Sequence, residues 1–190
     1  MIDYEMIKRK AGLLRRKFGT GNIYDVISGL DLSLLEHPMG TEKDSIRAFI
    51  LKNNRAVTIM LNSDLPDDAV PFILAHEVGH YEMNHLQGAS CTCQDRYFSY
   101  YTGGSELARK ENEANFFAAE YLLDTGETLE ILHEYDMPAA AKMLRVPVEF
   151  LDFKARLMAY DGLISDYNGC IIVKNSFLAD TPLRRNDLIC

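Results

Sequence analysis

Residues 76–80 read His-Glu-Val-Gly-His, a pattern that can hold a metal ion and a base side by side. On an α-helix, His76 and His80 lie four positions apart, so their imidazoles project from one face of the helix, one turn apart. Two such nitrogen ligands suit one tetrahedral zinc ion. Glu77 follows the first histidine, and its carboxylate can reach a water molecule at the metal without being a ligand. The pattern therefore predicts a zinc hydrolase in which Glu77 is the general base.

The residues around this motif predict a buried helix. Asp67 and Asp68 suit the positive end of the helix dipole, and Pro71 is tolerated in the first turn, where amides lack intrahelical partners. The residues between Pro71 and His80 are mostly apolar or small. The alternative is a buried helix whose histidines are satisfied by hydrogen bonds alone, which requires several well-placed partners.

A catalytic zinc site needs a third protein ligand, and the helical segment 105–123 offers Glu111 and Glu113. Glu111 shares its helix face with small and apolar residues that let two helices approach closely, whereas Glu113 shares a mostly polar, solvated face. We therefore expect Glu111 to be the ligand, with Glu113 as the alternative. Asn115 lies one turn beyond Glu111 and is placed to orient a ligand histidine by a hydrogen bond.

Two motifs in this order resemble the ImmA/IrrE family of zinc metallopeptidases. They are the stretch VTIMLNSDLPDDAVPFILAHEVGHYEMNH and the segment ENEANFFAAEYLL, and the likeness extends over roughly residues 20–160. The family belongs with the gluzincins, in which the third ligand is a glutamate followed four positions later by an acidic or amide residue, as Glu111 and Asn115 are. The resemblance implies a cytoplasmic endopeptidase that cleaves a helix-turn-helix repressor of a mobile element or a stress response. Where the family commonly has Met-Pro after this segment, the chain has Asp124-Thr125-Gly126.

The composition is that of a soluble enzyme. The chain has 190 residues, 47% of them hydrophobic, and a net charge of −8. It contains neither an apolar run long enough to span a bilayer nor an apolar signal core near Met1, so we expect a cytoplasmic protein without membrane contact. The negative charge makes direct nucleic-acid binding an unfavoured function, because phosphate contacts need a basic surface.

Four cysteines carry a separate prediction. Cys91 and Cys93 lie close together in a polar segment, and Cys170 and Cys190 lie far downstream. In a reducing cytosol, free thiols are the default interpretation. A second metal ion or a redox pair at Cys91 and Cys93 is the alternative, although a single intervening residue is uncommon for zinc.

The pattern along the chain predicts an α+β, zincin-like fold. Helices are expected over residues 3–18 and 22–28, followed by strands over 30–35, 46–51 and 56–61, the last two joined as a hairpin at Asn53-Asn54. We expect a small antiparallel sheet with an edge strand beside the two metal-binding helices. Such an edge can bind a protein substrate as an extended peptide. Residues 1–136 are predicted to form the peptidase core, and residues 137–190 a helical appendage packed on it.

Several tyrosines near the motif could donate a hydrogen bond to the oxyanion of a tetrahedral intermediate. The candidates are Tyr81, Tyr97, Tyr100 and Tyr101, and for any single one aromatic packing is the alternative. His85 lies nine positions after His76, which places it opposite His76 on a continuing helix and outside the metal ligands.

Residues 138–160 resemble a helix-turn-helix, with two short helices meeting at Val146-Pro147. The second helix lacks the basic face that a reader of the DNA major groove requires, so structural support or partner docking is the better interpretation.

Two alternative functions remain beside the zinc endopeptidase. One is a zinc-stabilised regulator that binds a repressor or another transcription factor without cutting it, which leaves Glu77 without a use. The other is a sequence-specific DNA-binding protein, which rests on residues 138–160 alone.

Overall fold

The computed structural model describes residues 2–19, 22–42, 45–86 and 105–164 of the chain. The helices and strands within these ranges, in chain order, are α1 (Tyr4–Phe18), α2 (Ile23–Gly29), β1 (Ser33–His37), β2 (Ala48–Asn53), β3 (Ala56–Asn62), α3 (Val70–Glu82), α4 (Glu106–Leu122), α5 (Thr125–Glu134), α6 (Met137–Leu144) and α7 (Val148–Tyr160). The predicted α+β class is confirmed, with the HEVGH motif on α3 and the second motif on α4.

The sheet is small, as predicted, but it is mixed rather than antiparallel. Its strand order is β1-β3-β2: β2 pairs antiparallel with β3, whereas β1 pairs parallel with β3. The hairpin was predicted correctly because its turn is local, with Asn54 in the left-handed conformation that asparagine tolerates. The pairing of β1 connects distant parts of the chain and leaves no local signal. Strand β3 is thus central, and β1 and β2 are the edges of the described sheet.

Helix α3 begins just after the strand hairpin and is buried from Phe72 to His80. Pro71 lies in its first turn, as predicted, and Asp67 and Asp68 precede its first residue. The sheet packs on α3 through one face, because β2 and β3 alternate buried and partly exposed side chains. The strand that contacts α3 most extensively is the edge strand β2.

Helix α4 is the centre of the fold, and α1, α3 and α7 all pack against it. Its first turn is capped by Ser105, whose hydroxyl accepts a hydrogen bond from the backbone amide of Ala108 at 3.1 Å. At its other end, the Arg15 guanidinium of α1 donates to the carbonyl oxygens of Glu120 and Leu123, each at 3.1 Å. A cation at the last carbonyl groups complements the helix dipole. Helix α4 is therefore fixed at both ends.

The segment after α4 packs on the same core. Asp124, at the departure from the ImmA/IrrE pattern, caps α5 by accepting a hydrogen bond from the amide of Glu127. Helix α7 buries Phe150, Leu151 and Phe153 in the main hydrophobic cluster. The division into two units at residue 136 stays a prediction. Within the described ranges, no helix combines the length and the apolarity needed to cross a bilayer.

Candidate metal centre

The two motif histidines meet at their outer ring nitrogens. His76 Nε2 and His80 Nε2 lie 2.9 Å apart, and both side chains are buried. The four-residue spacing on α3 produces this arrangement, since residues one turn apart point the same way. The sequence prediction that these two rings share one face of a helix is therefore borne out by their geometry.

Glu111 of α4 completes a three-residue group. Its Oε2 atom lies 3.4 Å from His76 Nε2 and 3.6 Å from His80 Nε2. One donor atom from each of the three residues lies within 4.8 Å of the others, so the group could hold a metal ion. Two nitrogens at about 2.0–2.1 Å from a tetrahedral zinc ion are separated by roughly 3.3 Å, close to the spacing of this group.

The hydrogen bonds behind the histidines indicate that the donor set fits a cation. His76 Nδ1 lies 2.8 Å from Asn115 Oδ1, and because an amide oxygen only accepts, the proton of this ring is on Nδ1. The Nε2 atom of a neutral His76 then presents a lone pair. It faces a second imidazole nitrogen and the buried Glu111 Oε2, an atom without a hydrogen-bond donor in the described structure. Lone pairs and an anion converging on one point are the electrostatics of a cation site.

The protonation states of the group match those of metal ligands. Burial lowers the pKa of His80 to about 4, although the neighbouring Glu111 carboxylate acts in the opposite direction. Burial acts to raise the pKa of Glu111, but the neighbouring His76 and His80 rings outweigh it and hold that pKa below its ordinary value. At neutral pH, His80 is therefore neutral and Glu111 is charged, which are the forms that bind metal.

Glu113 is buried, which corrects the prediction that it lies on a solvated face. Its carboxylate accepts hydrogen bonds from Arg109, on the preceding turn of α4, with both oxygens 2.7 Å from Arg109 Nη1. Its Oε2 atom also lies 3.0 Å from His85 Nε2. The hydrogen bonds from His85 and Arg109 lower the pKa of Glu113 against the opposing effect of burial. Glu113 is not part of the metal-compatible group.

His85 is the residue near the site whose position sequence reasoning missed. The prediction placed it opposite His76 on a continuing helix, but α3 ends at Glu82 and Asn84 adopts a left-handed conformation. This turn brings the His85 ring back, so that its Nδ1 atom lies 2.9 Å from His80 Nδ1. The available signal was Asn84 itself, since asparagine tolerates the left-handed region at a helix end. His85 remains outside the group of three donors, as expected.

The other predicted site residues have different positions. Glu77 is fully buried on α3 beside His76. Tyr81 is half-buried and packs against the hydrophobic core, so its role as an oxyanion donor stays a prediction. Tyr97, Tyr100 and Tyr101 lie outside the described residues, as do all four cysteines, including the possible second metal site at Cys91 and Cys93.

Comparison with known proteins identifies the family. A sequence profile described as the IrrE N-terminal-like domain, which defines a peptidase family, matches residues 28–156. The chain belongs to the IrrE N-terminal-like peptidase family. The resemblance to ImmA/IrrE proteins predicted from the two motifs is thus confirmed. The matched range contains α3 and α4, and with them every residue of the candidate metal site.

One relative comes from a bacteriophage. The chain is 26% identical to the uncharacterized immunity region protein 2 of Bacillus phage phi105 over 152 residues, which span 80% of this chain and 90% of the relative. The similarity therefore extends over nearly the whole of that phage protein.

Proposed function

We propose that this protein is a zinc-dependent endopeptidase of the gluzincin type that cleaves a cytoplasmic regulatory protein, a helix-turn-helix repressor of a mobile element or a stress response. The observation that carries the proposal is the buried group of His76, His80 and Glu111 in a chain of a peptidase family. Buried Glu77, next to His76, adds the base that peptide hydrolysis requires. The phage relative named for an immunity region supports a substrate from the same regulatory setting.

The reaction is the addition of water across one peptide bond. His76, His80 and Glu111 would hold the zinc ion, which when bound would supply a Lewis acid to polarise the scissile carbonyl and lower the pKa of water. Glu77 takes a proton from the attacking water as its oxygen bonds to the carbonyl carbon. The C–N bond then breaks, and Glu77 returns the proton to the leaving amine, which balances the reaction. Asn115 holds the His76 ring in the orientation in which Nε2 faces His80 and Glu111.

Edge strand β2 supports a polypeptide substrate. Within the described sheet it pairs with β3 on one side only, and it lies against α3, which carries His76 and His80. An extended peptide can add to such an edge through main-chain hydrogen bonds. We place the substrate there, with its scissile bond passing the end of the His76 and His80 rings.

The test uses zinc-loaded protein and the repressor encoded beside its gene, with fragments read by mass spectrometry. We expect the wild type to cut at one or few sites and Glu77→Gln to keep stoichiometric zinc while cleavage falls at least ~100-fold, the scale of general-base catalysis. Glu134→Gln, an exposed glutamate on α5, is the matched control and should cleave normally. Retained cleavage by Glu77→Gln would falsify the general-base assignment. A stable complex without fragments would instead favour the non-proteolytic regulator.

A further inference from the structure

We propose that His85 and Glu113 together orient His80 and increase its strength as a metal ligand, acting as positioning residues through hydrogen bonds rather than by touching the ion. We call these two residues the Glu113–His85 pair. The inference rests on the proposed function only in taking His80 as a ligand. It assigns a role to a buried histidine and a buried carboxylate that the three-residue metal group leaves unused.

The side chains of Glu113, His85 and His80 form one continuous series of hydrogen bonds. Glu113 Oε2 lies 3.0 Å from His85 Nε2, and His85 Nδ1 lies 2.9 Å from His80 Nδ1. The far nitrogen of the same ring, His80 Nε2, is the atom that faces His76 and Glu111. Glu113, His85 and His80 are all almost completely buried, so water does not compete for these hydrogen bonds.

One arrangement of protons satisfies both hydrogen bonds of this series with a single proton on each ring. The Glu113 carboxylate accepts, so His85 donates from Nε2, and a His85 ring with this one proton accepts at Nδ1. His80 must therefore donate from Nδ1, which leaves its Nε2 atom with the lone pair that a metal ion needs. The carboxylate thus selects the tautomer of His80 through an intervening imidazole.

The two ligand histidines are supported differently. His76 donates to the neutral amide oxygen of Asn115, whereas His80 is linked to a carboxylate. A carboxylate behind a ligand histidine makes the ring a better donor, and loss of such a partner costs about 10- to 100-fold in metal affinity. We expect the Glu113–His85 pair to act in this way on His80.

Arg109 keeps Glu113 in the charged form that this arrangement needs. A buried carboxylate without a counter-ion is costly, and the guanidinium of Arg109 lies against both of its oxygens. The Arg109 side chain is 39% exposed, so its charge stays partly solvated at the surface. The series of interactions therefore extends from His80 at the candidate metal site to Arg109 at the surface.

The first measurement reads tautomers directly in the metal-free protein, with ¹⁵N-labelled histidine and NMR of the ring nitrogens. We expect the proton on Nδ1 of His80 and on Nε2 of His85 in the wild type. In His85→Phe, which keeps the ring volume but removes both nitrogens, His80 should lose its single fixed tautomer. A role in packing alone would leave the His80 tautomer unchanged. A wild-type protein with the proton on Nε2 of His80 overturns the proposal.

The second measurement is zinc affinity by competition with a coloured chelator. We expect His85→Phe to weaken zinc binding about 10- to 100-fold. Glu113→Gln should weaken it less, since an amide oxygen can still accept from His85. His133→Gln and Glu106→Gln, both at exposed positions, are the matched controls and should bind zinc as the wild type does. Wild-type affinity in both test variants overturns the proposal.

Double variants distinguish an effect transmitted through the Glu113–His85 pair from a general loss of structure. Because Glu113 acts only through His85, His85→Phe combined with Glu113→Gln should lose no more affinity than His85→Phe alone. Asn115→Ala combined with Glu113→Gln should show multiplied losses, since the two residues support different histidines. Multiplied losses in the first pair would contradict the proposal. If His85→Phe does not fold, Glu113→Gln and the wild-type tautomers decide. None of these readouts involves cleavage, so the peptidase proposal can fail while the Glu113–His85 pair stands.

Discussion

Gly79 of α3 lies directly against the backbone of Ala114 in α4. A Cβ atom at Gly79 would come within 3.0 Å of the Ala114 carbonyl oxygen and 3.1 Å of its Cα atom. Gly79, the fourth residue of the HEVGH motif, is thus small because two helices meet there. This close approach brings Glu111, one turn before Ala114, within reach of His76 and His80.

Gly79→Ala should push α4 away from α3, because the two nearest atoms belong to the α4 backbone and cannot rotate aside. We expect unfolding free energy to fall by about 1–3 kcal/mol, the usual cost of overpacking, and zinc affinity to fall with it. The control is Gly12→Ala on α1, where the nearest atom is the flexible end of Arg16 at 3.7 Å. That variant should be neutral or stabilising by about 0.5–1 kcal/mol, since alanine favours helix. Urea titration and chelator competition measure the two effects, and equal behaviour of both variants contradicts the prediction.

Glu111→Ala should weaken zinc binding far more than Glu113→Ala. Glu111 offers a donor atom to the ion, whereas Glu113 acts on His80 only through His85. We expect the loss for Glu113→Ala to stay near the about 10- to 100-fold range of a supporting hydrogen bond, and the loss for Glu111→Ala to exceed it. Chelator competition ranks the two variants. The reverse ranking would show that Glu113 is the ligand.

Lys154 forms a buried ion pair between α7 and α4. Its Nζ atom lies 2.7 Å from Glu120 Oε2 and 2.8 Å from Thr125 Oγ1, and the residue is fully buried. Lys154→Met fills the space but leaves Glu120 without its cation. We expect a loss of about 1–3 kcal/mol in unfolding free energy, because Glu120 retains some solvent contact. Adding Glu120→Gln to Lys154→Met should recover part of the lost unfolding free energy. No recovery in the double variant would mean that the cost comes from packing.

The same lysine predicts how stability depends on pH. Burial lowers the pKa of Lys154 from 10.5, although the Glu120 carboxylate acts to raise it. Between the lowered pKa and 10.5 only the unfolded chain keeps the proton, so unfolding takes one up and stability from this group rises with pH there. Below that window both states are protonated, and the contribution is constant. The difference in unfolding free energy between wild type and Lys154→Met should therefore grow as pH rises towards 10.5. A shrinking difference would show that Glu120 outweighs burial.

Sequence reasoning succeeded where the answer lay within a single helix. The spacing of His76 and His80 and the phase of Glu111 on α4 are properties of helical geometry, and the structure brings these residues together. The prediction failed for the burial of Glu113, because helix phase shows which residues share a face but not which residues from other parts of the fold cover that face. His85 and Arg109 make the position of Glu113 a buried one. His85 itself arrives only because α3 ends before it.

The sheet shows the same limit. Asn53 and Asn54 predicted the β2–β3 hairpin, since a tight turn needs particular residues. No residue of β1 indicates its parallel partner, because β3 follows only after β2 and the pairing therefore leaves no local signal. β1 is also mostly exposed, so its hydrophobic pattern does not distinguish one neighbour from another.

Helix α1 lies outside the family match, which begins at residue 28, yet it is part of the same core. It buries Ile7, Ala11 and Leu14, and Arg15 binds the last carbonyls of α4. The region shared with relatives is therefore smaller than the unit that must fold. A truncation designed at the family boundary would expose an apolar strip on the helix that carries Glu111 and release that helix at one end, so shortened versions of this protein should begin before Tyr4.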